Sequence, residues 1–152
     1  RILSSAASDV YKRQELSINY GQYSKWSTNK EINTANAISH AACAVSRSQK
    51  IGVLATMTHS GYTARMAARY RPASKIIALT PFKKTCRKLA IVWGVSPALV
   101  KNYKSADEIP EVANEKLQKL GLIKKGESFV VTGGVPVGIS GTTNYLTVLT
   151  GA

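Results

Sequence analysis

"KIGVLATMTHSGYTARMAARYRP", residues 50–72, decides the fold. Through Met57 it is a continuous apolar run bounded by polar residues, the pattern of a strand buried on both faces. From Gly61 to Arg71 it changes period: Thr63, Met66, Ala67 and Tyr70 share one helical stripe, and Pro72 stops it. A strand feeding a helix is therefore predicted. The joint between them is Thr58, His59, Ser60, Gly61, Tyr62 and Thr63, with Arg65, Arg69 and Arg71 behind it. Two readings of this turn compete. Ser60 or Thr58 caps the helix. Alternatively, unpaired N–H groups and hydroxyls seat an anion, with Gly61 letting the backbone approach closely. His59 is expected as an exposed turn residue.

The alternation continues outward. "TANAISHAACAVSRS", residues 34–48, reads as a preceding helix, with Asn33 or Thr34 as cap and Ala35, Ile38, Ala42 and Val45 on one face. "SKIIALT" (74–80) is a second buried strand. "FKKTCRKLAIVWG" (82–94) is a helix with Phe82, Cys86, Leu89, Ala90 and Trp93 on its inner face and Gly94 as its stop. "VSPALVKNY" (95–103) is a third strand, weakened by Pro97. "SADEIPEVANEKLQKLG" (105–121) is a helix opened by Ser105 or Asp107. Its acids gather at the start, its lysines at the end, and Ile109, Val112, Ala113, Leu117 and Leu120 are its buried stripe.

"ESFVVTGG" (127–134) is a fourth strand and "YLTVLT" (145–150) a fifth, joined by the glycine- and hydroxyl-rich loop "VPVGISGTTN" (135–144). That loop suits a hairpin, so the last pair should be antiparallel. The expected class is α/β: a three-layer sandwich with a mostly parallel five-stranded sheet, an antiparallel last strand and helices on both faces. Ligands of such sheets bind beyond the strands' carboxyl ends. The 58–63 turn and the 133–144 loop both lie at such ends and are expected to face one crevice.

The 152 residues suffice for one domain with a sizeable core, and hydrophobic residues form 44% of them. No apolar run spans a bilayer and no secretory h-region is visible, so a cytoplasmic chain without membrane partners is expected. Cys43 and Cys86 lie outside any CxxC pair and read as buried free thiols of a reducing compartment. His40 and His59 are the only histidines, without metal-ligand spacing. The net charge of +13 suggests anionic partners. The cations nevertheless read as solvent faces of successive helices with no interleaved aromatics, so nucleic acid is not an expected partner. The loops fit neither a P-loop nor GxGxxG, and no GxSxG elbow or carboxylate pair is present.

Residues 4–14, "SSAASDVYKRQ", have no packing logic. They back-translate, codon for codon, into the read-one adapter of a transposase-based sequencing library. Residues 1–14 are accordingly read as adapter translation and set aside. The chain is then expected to be the tail of a longer protein. Removing Arg1, Lys12, Arg13 and Asp9 leaves about +11, so the basic bias survives. Residues 15–33, with Tyr20, Tyr23 and Trp26, read as a linker, and 34–152 as the domain.

"AISHAACAVS", "THSGYTARMAARYRP", "IIALTPFKKTCRKLAIVWGVSP" and "FVVTGGVPVGISGTTNYLTV" closely resemble, in order and spacing, the C-terminal domain of bacterial pyruvate kinases, over roughly residues 31–150. The resemblance implies a regulatory and oligomerisation domain. The parent transfers a phosphoryl group from phosphoenolpyruvate to ADP in glycolysis with magnesium and potassium. Its catalytic barrel is missing here, so no catalytic or metal residue and no cofactor is expected in this chain. In sugar-bisphosphate-regulated members, the turn matching Thr58, His59, Ser60, Gly61, Tyr62 and Thr63 holds a phosphate. The loop matching Gly133, Gly134, Val135, Pro136, Gly138, Ser140, Gly141, Thr142 and Thr143 closes over the effector. Those members also use a tryptophan and an arginine where this chain reads "KSADEIPEVANEKLQ" (104–118), which holds neither. The resemblance therefore implies a ribose 5-phosphate or AMP type of effector rather than fructose 1,6-bisphosphate. It also implies a homo-oligomeric, tetrameric parent. The rival expectations are a free-standing phosphometabolite sensor and, less favoured, a basic nucleic-acid-binding module.

Overall fold

The computed structural model describes residues 33–152. The expectations for residues 1–32 lie outside the described residues. The elements run α1 (Thr34–Ser48), β1 (Val53–Met57), α2 (Tyr62–Ala68), β2 (Lys75–Thr80), α3 (Lys83–Leu89), β3 (Val95–Leu99), a single 3-10 turn (Ala106–Glu108) leading into α4 (Ile109–Lys119), then β4 (Ser128–Gly134) and β5 (Thr143–Thr150).

The sheet order is β3-β2-β1-β4-β5, parallel except for the β4–β5 hairpin. Pro97 is tolerated because β3 is an edge strand, where a missing N–H costs no ladder bond. Strand alternation divides the core. Val53, Ala55 and Met57 point with Phe129 and Val131 to one side, under Ile109, Val112 and Leu117 of α4. Leu54, Ile76, Ala78 and Val130 point to the other, under Ala42, Ala64, Ala67 and Leu89 of α1, α2 and α3. The expected three layers are therefore present.

Chain direction across the sheet reverses at β1. The chain steps from β1 to β2 to β3 on one side, then returns through α4 to place β4 on β1's other side. The crevice between the carboxyl ends of β1 and β4 is the topological switch point, where doubly wound sheets take their ligands.

The helix ends follow their local chemistry. Asn33 caps α1 by accepting from the Asn36 N–H at 2.8 Å. Ser105 and Glu108 form a reciprocal capping box before α4. Glu108 Oε1 accepts the backbone N–H groups of Lys104 (3.0 Å) and Ser105 (3.1 Å), and these two bonds hold its carboxyl below the usual range. A depressed pKa stabilises the fold above the group's unfolded pKa, near 4.3, and that contribution is lost as pH falls through the folded value. The expected result for Glu108→Gln is a melting temperature below that of the unsubstituted chain at pH 7, with the gap closing in thermal scans taken progressively below about pH 4. A gap constant across that range would mean that the carboxylate's charge is not what caps the helix.

Four expectations are corrected. α1 buries Ala35, Ser39, Ala42, Cys43 and Ser46, leaving Ile38 and Val45 half-buried. Helix α3 stops at Leu89, so its inner residues are Thr85 and Leu89, while Phe82, Ala90 and Trp93 are exposed. Leu120, just past the end of α4, is 45% exposed. Cys43 is buried and its thiol is pushed up to about 12 by desolvation, whereas Cys86 is only half-buried.

Candidate functional site

β1 delivers Thr58 to the sheet's carboxyl edge, where its N–H still donates to Leu79 O (3.0 Å). The Thr58 hydroxyl accepts the Gly61 N–H at 2.9 Å, closing the turn. Gly61 sits at φ +85°, and a Cβ there would meet Leu89 Cδ2 at 3.0 Å and Arg65 at 3.1 Å, so glycine is required twice over. The Thr58 hydroxyl thus closes the turn on the N-cap residue Gly61, and helix α2 itself has no side-chain cap. Its first internal bond is Arg65 N–H to Gly61 O, which leaves the N–H groups of Tyr62, Thr63 and Ala64 without intrahelical acceptors. At seven residues its dipole is small, so hydroxyls and individual N–H groups are the relevant donors.

The β4–β5 loop meets this turn. Ser140 donates to Ser60 Oγ at 2.7 Å, and the Thr63 and Thr143 hydroxyls lie 2.9 Å apart, both buried. Within the loop, Asn144 clamps Val135 from both sides: Oδ1 accepts its N–H (2.8 Å) and Nδ2 donates to its carbonyl (2.6 Å). The Val135–Pro136 bond is cis. Thr142 donates to Ile139 O at 2.9 Å.

Between the two walls lies a small, partly open depression with a cavity volume of about 20 Å³. Thr58, His59, Ser60, Tyr62 and Thr63 line it from the turn, and Gly134, Gly138, Ser140, Gly141 and Thr142 from the loop. Of the other expected residues, Gly61 packs on Leu89, Gly133 packs on Met57, Thr143 reaches in only through Thr63, and Val135 and Pro136 do not line the space.

The cation backing is smaller than expected. Arg65 stays beside Gly61, but Arg69 Nη1 reaches back to Asn36 Oδ1 (3.5 Å) and Met66. Arg71 lies over the Trp93 ring, 4.8 Å from its centroid. His59 also departs from expectation. It is half-buried, its ring centroid 5.4 Å from Phe82 and 5.1 Å from Tyr103, and its carbonyl accepts from Thr85 Oγ1 at 2.7 Å. Burial lowers its pKa, so the imidazole is neutral at pH 7. Tyr103, missed in the sequence, is 3% exposed, lines the depression, and has its phenol pushed up to about 12 by burial. The only signal for it was an aromatic closing an apolar segment at a strand's carboxyl end.

A pocket lined by hydroxyls, with no carboxylate among its lining residues, can hold an oxyanion. Residues 36–149 match the family model described as "Pyruvate kinase, alpha/beta domain". The chain belongs to this family. The pyruvate kinase of Clostridium acetobutylicum is 36% identical over 140 residues, which are 91% of this chain and 30% of that protein. That of Lactobacillus delbrueckii subsp. bulgaricus is 38% identical over 117 residues, 77% of this chain and 20% of that one. A crystal structure of Cryptosporidium parvum pyruvate kinase shares the fold, with TM-score 0.78 and 23% identity over 91% of this chain and 27% of that chain. The chain therefore spans less than a third of the length of these pyruvate kinases. Among the described residues no helix is long and apolar enough to cross a membrane.

Proposed function

We propose that this pyruvate kinase α/β domain is a regulatory unit that binds a phosphorylated small molecule in the β1–β4 crevice. The supporting observation is the convergence of Ser60, Thr63, Ser140 and Thr143 hydroxyls across the topological switch point, bonded to one another over the depression. A phosphate replaces these mutual bonds: Ser60 and Thr63 donate to it with the N–H groups of the turn, and the 135–142 loop moves to admit the sugar. A single phosphate suits this crevice. The region that would hold a second carries Asp107, Glu108 and Glu111, and Glu108 already occupies two of its backbone N–H groups. The effector is of the ribose 5-phosphate or AMP type, in preference to fructose 1,6-bisphosphate.

The parent of this domain is a cytoplasmic homo-oligomer that moves a phosphoryl group from phosphoenolpyruvate to ADP. The magnesium and potassium of that reaction are assigned to its barrel, and this chain alone does not turn over substrate. No three His, Cys, Asp or Glu side chains converge among the described residues, so no step is assigned to a metal here.

Titration calorimetry of the whole chain with ribose 5-phosphate, AMP and fructose 1,6-bisphosphate tests the reading. Saturable heat is expected for one of the first two, weakened about tenfold or more by Thr63→Val through loss of a charge-assisted hydrogen bond. Silence across the panel, or tightest binding of the bisphosphate, overturns it.

A further inference from the structure

We propose that the outer surface of α3 is a docking surface for single-stranded nucleic acid. The first observation is charge segregation. From residue 32 to residue 106 the chain contains no Asp or Glu. The five carboxylates of the described residues are Asp107, Glu108, Glu111 and Glu115, on α4 and its entry, and Glu127 before β4. Because α1, α2 and α3 share one face of the sheet and α4 the other, the first face carries cations without carboxylates among the described residues, whereas α4 mixes both signs. Ordinary soluble surfaces intersperse both signs.

Helix α3 concentrates the imbalance. Lys83, Lys84, Arg87 and Lys88 are all exposed, and they form like-charged i,i+4 pairs, Lys83 with Arg87 and Lys84 with Lys88. The ion pairs Lys101 makes with Glu111 and Glu115 lie at α4, and no carboxylate among the described residues pairs with a cation of α3. A row of phosphates removes the repulsion between those like charges.

The second observation is aromatic. The cations have no aromatic between them in sequence, but the fold exposes one at each end of the helix. Phe82 is 48% exposed beside Lys83, and Trp93 is 41% exposed past the helix end. The Arg71 guanidinium already stacks on Trp93, fixing the ring's orientation. A cationic track with aromatic platforms is the arrangement that holds single strands without sequence preference. A bilayer fits less well: the buried residues of α3, Thr85 and Leu89, are spent on the core, and the exposed Phe82, Ile91 and Trp93 lie outside the helix and form no apolar face along it.

Fluorescence anisotropy of a labelled, mixed-sequence single-stranded 12-mer with the whole chain tests this. Four phosphate contacts give a slope of log K against log salt of about −3, so raising salt from 50 to 200 mM should weaken binding roughly fiftyfold. The variant K83Q/K84Q/R87Q/K88Q should flatten the slope. Trp93→Ala should weaken binding about tenfold and leave the slope intact. K116Q/K119Q, at the end of α4, should change neither. These positions are exposed, apart from the half-buried Lys116, and unchanged melting temperatures confirm that the variants fold. The proposal fails if the oligonucleotide does not bind at 50 mM salt, or if the quadruple variant binds as tightly as the parent chain. It also fails if phosphatidylserine vesicles, and not the oligonucleotide, are what the α3 cations retain.

Discussion

Phe129→Ala is expected to cost about 3–5 kcal/mol and to lower the melting temperature by roughly 10–20 °C. Phe129 is fully buried and is the largest side chain in that state. It stands on β4, hydrogen-bonded to β1 on one side and β5 on the other, so the backbone around it is pinned by two ladders. Its ring fills the layer beneath α4 with Val131, Ile109 and Leu117. A void there cannot close by backbone movement without breaking sheet bonds, which puts the cost near the top of the range for such truncations. Against a total stability of about 5–15 kcal/mol, that is a large fraction. The chain's other phenylalanine supplies the comparison. Phe82→Ala, at a 48% exposed residue, should shift stability by no more than about 0.5 kcal/mol. Paired urea and thermal melts decide the matter. Equal losses for the two variants would mean that the core is not where Phe129 places it.

The contrast between these two residues shows where sequence reasoning succeeds and where it stops. "KIGVLATM" and "SKIIALT" read as strands because central strands of a parallel sheet are buried on both faces, so no charged residue interrupts their interiors. Pro97 signalled only a weakened β3, which the structure places at the sheet's edge, and the short 135–144 loop marked an antiparallel partner. Helix faces were less legible. The expected stripe through Phe82, Cys86, Leu89, Ala90 and Trp93 assumes a helix that continues past residue 89. Because α3 ends there, the later members follow a turn and swing into solvent. On α1, Ser39 and Ser46 occupy the buried face that pattern reasoning gave to Ile38 and Val45. Ser46 does so by donating to Cys43 O at 2.9 Å, and the small side chains let the helix lie close to the sheet.

The crevice itself was legible because both its walls follow strand ends in sequence. Its third contributor was not. Tyr103 comes from the β3–α4 connection and reaches the turn only through the folded sheet. Sequence neighbourhood also overstated the role of the arginines. Arg69 is one helical turn beyond Arg65, which carries it about 6 Å along the axis away from the 58–63 turn and towards α1. Proximity in sequence placed three guanidinium groups at the site; helical geometry leaves one.

Gly134→Ala is expected to abolish most of the effector affinity, on the order of a hundredfold, while costing only about 1–3 kcal/mol of stability. A Cβ at this position would lie 2.7 Å from the Thr142 carbonyl oxygen and 2.8 Å from its hydroxyl. Both distances are shorter than real Cβ contacts, and one of the obstacles is backbone, so the loop strand must retreat. The hairpin has little slack to absorb the shift. The register already slips between Gly133 and Gly134, and Asn144 grips Val135 through two bonds. The displacement therefore passes to Thr142 and its neighbours. Thr143 is tied to Thr63 and Ser140 to Ser60, so moving this segment separates the hydroxyls that face each other across the crevice. Hydrogen exchange gives a readout that needs no ligand: the Val135 amide should exchange faster in the variant, and the amides of β1 and β2 should not. Gly52→Ala is the control, since a Cβ there meets nothing within 4 Å. If the Gly134 variant keeps slow exchange at Val135 and full affinity for the sugar phosphate that the parent chain binds, then the contact between loop and turn is not what shapes the pocket. If exchange quickens while affinity holds, the loop is displaced but does not hold the ligand, and the phosphate seat lies in the 58–63 turn alone.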